Sequence, residues 1–528
     1  MRNKKIVIII ITLITVAGIF FRLWHIEFGL PHSFYADEPE IAELAIKYTY
    51  EFRSIIAEGD YYKLTPVSYV YGTFPSYLFT FFVMGFSKIS NILGTSAAKY
   101  DLYVAMRVFN ALLSFLIAPV VSFLFYKKTK DIKPTLALYF LLALNWKLIV
   151  HAHYINADVL LTLLISLSLL TSLLYAEKEK NDTALTVITG VLLGLAVGTK
   201  ITALITLPLY VWIFYKKGQF RNVAALLFIT LGVFALSNPF ALIFVQDFVF
   251  RIYEMMFKEG GLVFDSVDRG YFKYVYALGF MVTPAIAVLS GFGIFSKGKV
   301  KFDLFLILNV LIYLLFFSLQ SRRVDRWLLP VLPMVLYFTV RGLKELRGKF
   351  GLKPAYFITA ALLGYYLYFP ALLLTQFQKW TPKSEAYLWM QKNIPELSAK
   401  LVYTEEGLDP MNKLPVAEVY QYEVYASKNA ELFYPKDPSY YDYIVVSSRP
   451  LENHKRPEVK DAFPEYYLRW NSFVRVLNSP EKFELVKDFT LSKPNLIPLS
   501  DVFIYRNLDK KTIPISEVIP FLQPKDNL

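Results

Sequence analysis

Apolar residues run through this chain in blocks too long for the strands and helices of a soluble core. The first, KIVIIIITLITVAGIFFRLW over residues 5–24, has the roughly 20 residues that a helix needs to cross the hydrocarbon layer of a bilayer. Further blocks follow near 103–126, 134–151, 158–175, 183–199, 201–215, 222–243, 275–295, 302–319, 326–341 and 354–376. The pattern predicts a mainly α, polytopic membrane helical bundle with about eleven transmembrane helices. No small-residue cleavage site follows the first block, and more spans come after it, so it reads as a span and not as a removable leader.

The polar connections fix a direction. RNKK (2–5), KKTKDIK (127–133), EKEKND (177–182), KKGQFR (216–221), SKGKVK (296–301) and RGLKELRGKFGLK (341–353) are short and basic, and the positive-inside bias places them in the cytoplasm. That parity puts the N-terminus inside and the C-terminus outside. VSYVYGTFPSYLFTFFVMGFSKI, 67–89, is apolar enough to cross, but counting it would place KKTKDIK outside. It is therefore expected to lie in-plane or re-enter, broken at Gly72 and Pro75.

From about residue 384 the pattern changes. SEAYLWMQKNIPEL has helical spacing, and the runs at 401–406, 441–448, 483–489 and 502–506 have the aromatic and β-branched character of strands between Pro- and Asn-containing turns. The expected organisation is a transmembrane domain over 1–380, with its first outer loop at 25–102, and a soluble extracytoplasmic α/β domain over 384–528.

Composition agrees with this reading: 55% hydrophobic residues and a mean hydropathy of +0.40 are those of a polytopic membrane protein. The net charge of +13 falls mostly in cytoplasmic loops facing anionic membrane lipids, so nucleic acid need not be invoked. There is no cysteine, and the redox compartment cannot be read.

The unusual chemistry gathers on the outer side. Asp37 and Glu38 lie in the first outer loop, FRLWHIEFGLPHSFYADEPE. An acid pair heading a helical pattern suits the helix dipole, but a carboxylate beside apolar surface is also suited to take a proton from a hydroxyl. Asp158 in HAHYINADVLLTLL is either a helix-start residue or a site acid. His151 and His153 in the same stretch are spaced like metal ligands, a weak signal for two histidines alone. Lys200 in GLAVGTKITALITLP has apolar neighbours on both sides, and a cation at membrane depth costs about 2.5–3.5 kcal/mol unless it snorkels or meets an anion. Arg322, Arg323 and Arg326 cluster in QSRRVDRWLLPVLP. Asp325 can pair with one of them, and guanidinium groups suit phosphate oxygens. Together these residues suit attack by an acceptor hydroxyl on a lipid-phosphate-linked sugar, with cations meeting the departing phosphate.

GLPHSFYADEP, HAHYINADVLLTLL, GLAVGTKITALITLP and RWLLPVLP, in that order over about residues 5–345, resemble the polytopic C-type membrane glycosyltransferases. The likeness is to protein O-mannosyltransferases and the aminoarabinose transferase of lipid A. It implies a polyprenyl-phosphate-linked sugar donor, eleven to thirteen spans, an active site facing away from the cytoplasm in the plasma (inner) membrane, and single displacement with inversion. It also implies Asp37 as general base, Glu38 as its partner acid, and Asp158 as the second-loop acid that helps organise the site or, in some relatives, a divalent metal ion that Asp37 and Asp158 would hold. Lys200, Arg326 and Arg322 then stand at the donor phosphate. The tandem loop domain of eukaryotic protein mannosyltransferases and the WWDYG motif of oligosaccharyltransferases are missing from the sequence, which weakens both narrower identities. Lipid, glycan and protein acceptors stay open. A transporter or flippase of lipid-linked sugars is the rival reading; a membrane scaffold would explain the tail but not Lys200 or the arginines.

Overall fold

The computed structural model describes all residues except 1, 33–34, 36, 67–68, 70, 96, 179–181, 217–219, 256–269, 271, 297–300, 321–322, 379, 406–409, 423–429, 492, 498 and 512–528. Among the described residues, each apolar block is helical, as a chain must be when lipid offers no partner to its N–H and C=O groups. Helices α1 (Arg2–Leu23), α2 (Glu38–Glu58), α3 (Phe74–Ile92) and α4 (Lys99–Thr129) lead into a broken pair, α5 (Ile132–Ala143) and α6 (Trp146–Ala152). Helices α7 (Ala157–Glu177), α8 (Thr183–Thr199), α9 (Leu207–Tyr215), α10 (Phe220–Ser237), α11 (Pro239–Ile243) and α12 (Val245–Tyr253) follow. A second broken pair, α13 (Lys273–Met281) and α14 (Pro284–Ile294), precedes α15 (Lys301–Ser318), α16 (Leu332–Phe350) and α17 (Leu352–Gln376). By length and composition, five of these helices can cross a membrane, or seven if each bent pair is one span. The segment expected to lie in-plane becomes α3, which starts just after Gly72 and takes Pro75 into its first turn.

The breaks carry structure. At the α5–α6 break the chain bends by 46°, and the carbonyls that lose their helical partners need donors. Arg22 supplies them from α1: its guanidinium reaches the carbonyl of Ala143, that of Leu142 at 3.4 Å, that of Gly18 at 3.0 Å and Ser114 Oγ at 3.2 Å. Asn145 caps the next helix, accepting from Leu148 N at 3.0 Å and donating to Met281 O at 3.1 Å. Three loop ends are tied together elsewhere in the helical part. Gly72 N donates to Thr199 O at 3.1 Å, Thr73 N to Asn238 Oδ1 at 2.6 Å, and Asn238 Nδ2 to Gly198 O at 3.2 Å. A Cβ on Gly72 would overlap the Gly198 carbonyl, so only glycine permits the approach.

The described residues of 1–28, 37–261 and 268–378 form one compact unit, and those of 29–36 and 379–528 a second. The second unit holds a five-stranded sheet in the order β2-β1-β3-β5-β4. Its strands are β1 (Lys400–Glu405), β2 (Ala417–Tyr422), β3 (Tyr443–Ser447), β4 (Phe483–Phe489) and β5 (Val502–Asn507). The first three pair in parallel, while β5 runs antiparallel to both β3 and β4. Alternation along β1 and β3 divides the core between two faces. Val402 and Val445 pack with Ala386 and Met390 of the helix Pro382–Asn393. Leu401, Tyr403, Ile444 and Val446 pack with Tyr466, Trp470 and Phe473 of the helix Pro464–Leu477.

Candidate active site

Asn156 caps α7 by accepting from Val159 N at 3.1 Å, which leaves Asp158 in the first turn with its carboxylate free for other work. That carboxylate is almost wholly buried, and two cations meet it. Lys200 Nζ, from the residue that ends α8, donates to Oδ1 at 2.7 Å, and Arg326 Nε lies 3.2 Å from Oδ2. The Arg326 guanidinium also reaches back to the first loop, where Nη2 donates to Asp37 Oδ2 at 2.5 Å. Four segments far apart in sequence thus share one cluster of two carboxylates and two cations. Its desolvation cost is offset only because each charge is paired.

The supports are as specific as the cluster. Lys200 sits 5.6 Å from the ring centre of buried Tyr71, and the Gly72–Gly198–Asn238 crossing fixes both backbones. Arg326 is the second residue of a 3₁₀ turn, Asp325–Val331, whose Leu328, Leu329, Pro330 and Val331 are buried. Val324 N donates to Tyr274 Oη at 3.1 Å, and Lys273 Nζ donates to the Gln320 carbonyl, so the start of α13 holds the segment that presents Arg326.

Glu38 goes elsewhere. Buried at the start of α2, it receives Arg107 Nε and Nη2 at 2.7 Å each and Ile155 N at 3.1 Å. Arg107 Nη1 adds the carbonyls of Ile26 at 3.0 Å and Phe28 at 2.8 Å. The adjacent acids thus divide the work: Glu38 ties the first loop to α4 and to the turn before α7, and Asp37 faces Arg326. Sequence reasoning passed over Arg107, although an arginine inside the apolar run YVAMRVFN was a readable signal.

The arginine cluster divides as well. Arg323 Nε donates to Asp325 Oδ1 at 3.0 Å at the exposed edge, Arg326 points to the carboxylates, and Arg322 lies outside the described residues.

The histidines do not form a metal pair. His153 has its two ring nitrogens 2.8 Å from the carbonyls of Ile149 and Trp24 and stacks on Phe377, while His151 hydrogen-bonds through Nδ1 to Tyr154. Among the described residues no three His, Asp or Glu side chains are grouped as metal ligands. Asp37 and Asp158 have a guanidinium between them where a divalent ion would need open oxygens. As placed, these residues do not fit a metal, and no step below passes through one.

Comparison with known proteins supports the same fold. Residues 12–245 match the family described as dolichyl-phosphate-mannose-protein mannosyltransferase. ArnT from Cupriavidus metallidurans, solved bound to undecaprenyl phosphate, superposes with a TM-score of 0.50 at 13% identity, covering 93% of this chain and 97% of its own. The oligosaccharyltransferase of Archaeoglobus fulgidus, solved in complex with Zn and sulfate, gives 0.51 at 14% identity, covering 83% of this chain and 68% of its own. No curated protein sequence matches significantly. In fold, and over its first half in sequence, the chain resembles the polytopic C-type membrane glycosyltransferases.

Proposed function

We propose that the protein is a membrane glycosyltransferase that moves a sugar from a polyprenyl-phosphate donor to an acceptor hydroxyl on the extracytoplasmic side. The observation that carries this reading is the cluster Asp37–Arg326–Asp158–Lys200, which sets one semi-exposed carboxylate beside two cations whose other partner is a buried acid.

Donor phosphate binds at Lys200 and Arg326, with Arg322 on the same segment as a third cation. Bringing an anion to Arg326 loosens its hold on Asp37. Asp37 then takes the proton of the acceptor hydroxyl as that oxygen attacks the anomeric carbon. The bond from that carbon to the phosphate oxygen breaks, and the electron pair leaves with the polyprenyl phosphate. Its new charge develops against Lys200 and Arg326, where fixed cations act most strongly. One displacement inverts the anomeric centre. Glu38 and Asp158 act by position: Glu38 through Arg107, Asp158 by orienting the two cations.

The sequence parity supplies the rest of the reading: about eleven crossings, the N-terminus in the cytoplasm, the site and the domain at 384–528 outside, in the plasma membrane. The acceptor is a lipid, glycan or protein hydroxyl. Incubating purified protein with a polyprenyl-phosphate sugar and an acceptor should release polyprenyl phosphate. A flippase would move the donor and leave it intact, and that outcome would reject the reading.

A further inference from the structure

Helix α6 carries two polar side chains one turn apart, Lys147 and His151, on a common face. Neither belongs to the carboxylate cluster. The two histidines of HAHY make an internal comparison. His153 is a structural histidine, with both nitrogens at carbonyl oxygens and its ring stacked on Phe377 at 3.8 Å. His151 is buried to a similar degree, but only Nδ1 is engaged, by the Tyr154 hydroxyl; Nε2 has no hydrogen-bond partner among the described residues. A buried ring nitrogen left unmet loses its hydration without a replacement.

The position of this nitrogen is built. The His151 carbonyl accepts from Asn110 Nδ2 at 3.0 Å and from Asn156 Nδ2 at 2.8 Å, so two side-chain amides fix the backbone from which the ring projects. Tyr154 fixes the ring. Lys147, Arg326 and Lys200 are near enough for their charges to bear on the ring, the last two shared with the Asp158 carboxylate. An anionic oxygen at Nε2 would select the tautomer that carries the ring proton there, with the Tyr154 hydroxyl donating to Nδ1. A buried, unmet ring nitrogen under the influence of nearby cations is complementary to an anionic oxygen.

We propose that His151 is a further donor-binding residue: its Nε2–H donates a hydrogen bond to a non-bridging phosphate oxygen of the lipid-linked substrate, with Lys147 on the same helix face as an added cation. The inference rests on the proposed function and deepens it. A hydrogen bond to a charged group contributes about 1.5–3 kcal/mol, equivalent to roughly 10- to 150-fold in affinity.

The test measures binding of undecaprenyl phosphate to the purified full chain and to two variants. His151→Met fills the volume without an N–H; His151→Gln returns one near the Nε2 position. Wild type should bind, His151→Met should bind at least about 10-fold more weakly, and His151→Gln should recover most of the loss. Equal binding by the Met variant and wild type, or equal loss in both variants, overturns the role of His151 alone. Failure of wild type to bind overturns the proposed function and this inference with it. Should the Met variant not fold, 15N-histidine spectra of wild type decide. Among the five histidines, the Nε2 resonance absent from the His151→Gln spectrum should move on adding undecaprenyl phosphate, and a stationary resonance overturns the proposal.

Discussion

Arg326 Nη2 lies 2.5 Å from Asp37 Oδ2 while Nε of the same guanidinium lies 3.2 Å from Asp158 Oδ2. One arginine therefore joins a semi-exposed acid to a buried one, and replacing either acid has a different expected result. Asp37→Asn keeps the shape and removes the base, so transfer should fall by about 10²–10⁴. Undecaprenyl phosphate should bind at least as tightly as to wild type, because Arg326 has lost a competing anion. A single-turnover assay with a parallel binding titration checks both halves.

Arg326→Lys should not rescue function. An ammonium group cannot span Asp37 and Asp158 as the planar fork does. Donor affinity is expected to fall by at least about tenfold, since a charge-assisted contact of about 1.5 kcal/mol or more is lost. Binding titrations of the Lys variant against wild type measure it.

The Glu38–Arg107 pair is fully buried, so its loss should appear as instability. Removing one partner strands the other without water, at a cost of about 3–5 kcal/mol. Glu38→Gln and Arg107→Met should each lower unfolding stability in detergent by that order, and the combined Glu38→Leu/Arg107→Met variant should recover part of it. A stable Glu38→Gln protein with lost turnover would instead give Glu38 a chemical role.

Gly72→Ala should impair the site from outside it. The added methyl meets the Gly198 carbonyl, two residues before Lys200, and displacements of about 1 Å near a reacting centre can cost 10²-fold. Gly85→Ala, where nothing lies within 4 Å, is the matched control and should behave as wild type. Donor turnover by both proteins provides the comparison.

The helical character of the apolar blocks was readable because lipid leaves a spanning chain little choice but helix, whereas five to seven helices among the described residues, against about eleven expected, are long and apolar enough to cross. Among the candidate residues, Lys200 was readable for the related reason that charge is expensive at membrane depth, Asp37 and Asp158 as acids heading helical patterns, and Arg326 as one of an arginine cluster suited to phosphate. Their partners were not: which of two adjacent acids turns to Arg326 and which to Arg107 depends on where α2 begins and how α4 packs. In the second unit, β2 escaped notice because AEVYQY is short and carries an acid and an amide, although Val419, Tyr420 and Tyr422 give it strand character. The helix Pro464–Leu477 was missed despite Tyr466, Trp470, Phe473 and Leu477 recurring at helical spacing. Arg22 shows a limit of local reading. Beside an interface it looks like a snorkelling residue, yet it serves carbonyls on a helix more than a hundred residues away.

The balanced cluster of two acids and two cations has a bearing on the end of the catalytic cycle. A lipid-linked sugar arrives as a phosphodiester with one negative charge, whereas the spent carrier is a monoester bearing about −1.5 to −2 near neutral pH. On the proposed function, the cations that meet the substrate's phosphate should therefore grip the leftover carrier harder. Turnover in steady state should be paced by discharge of that carrier, and an enzyme recovered from its native membrane should come with the carrier still lodged in it.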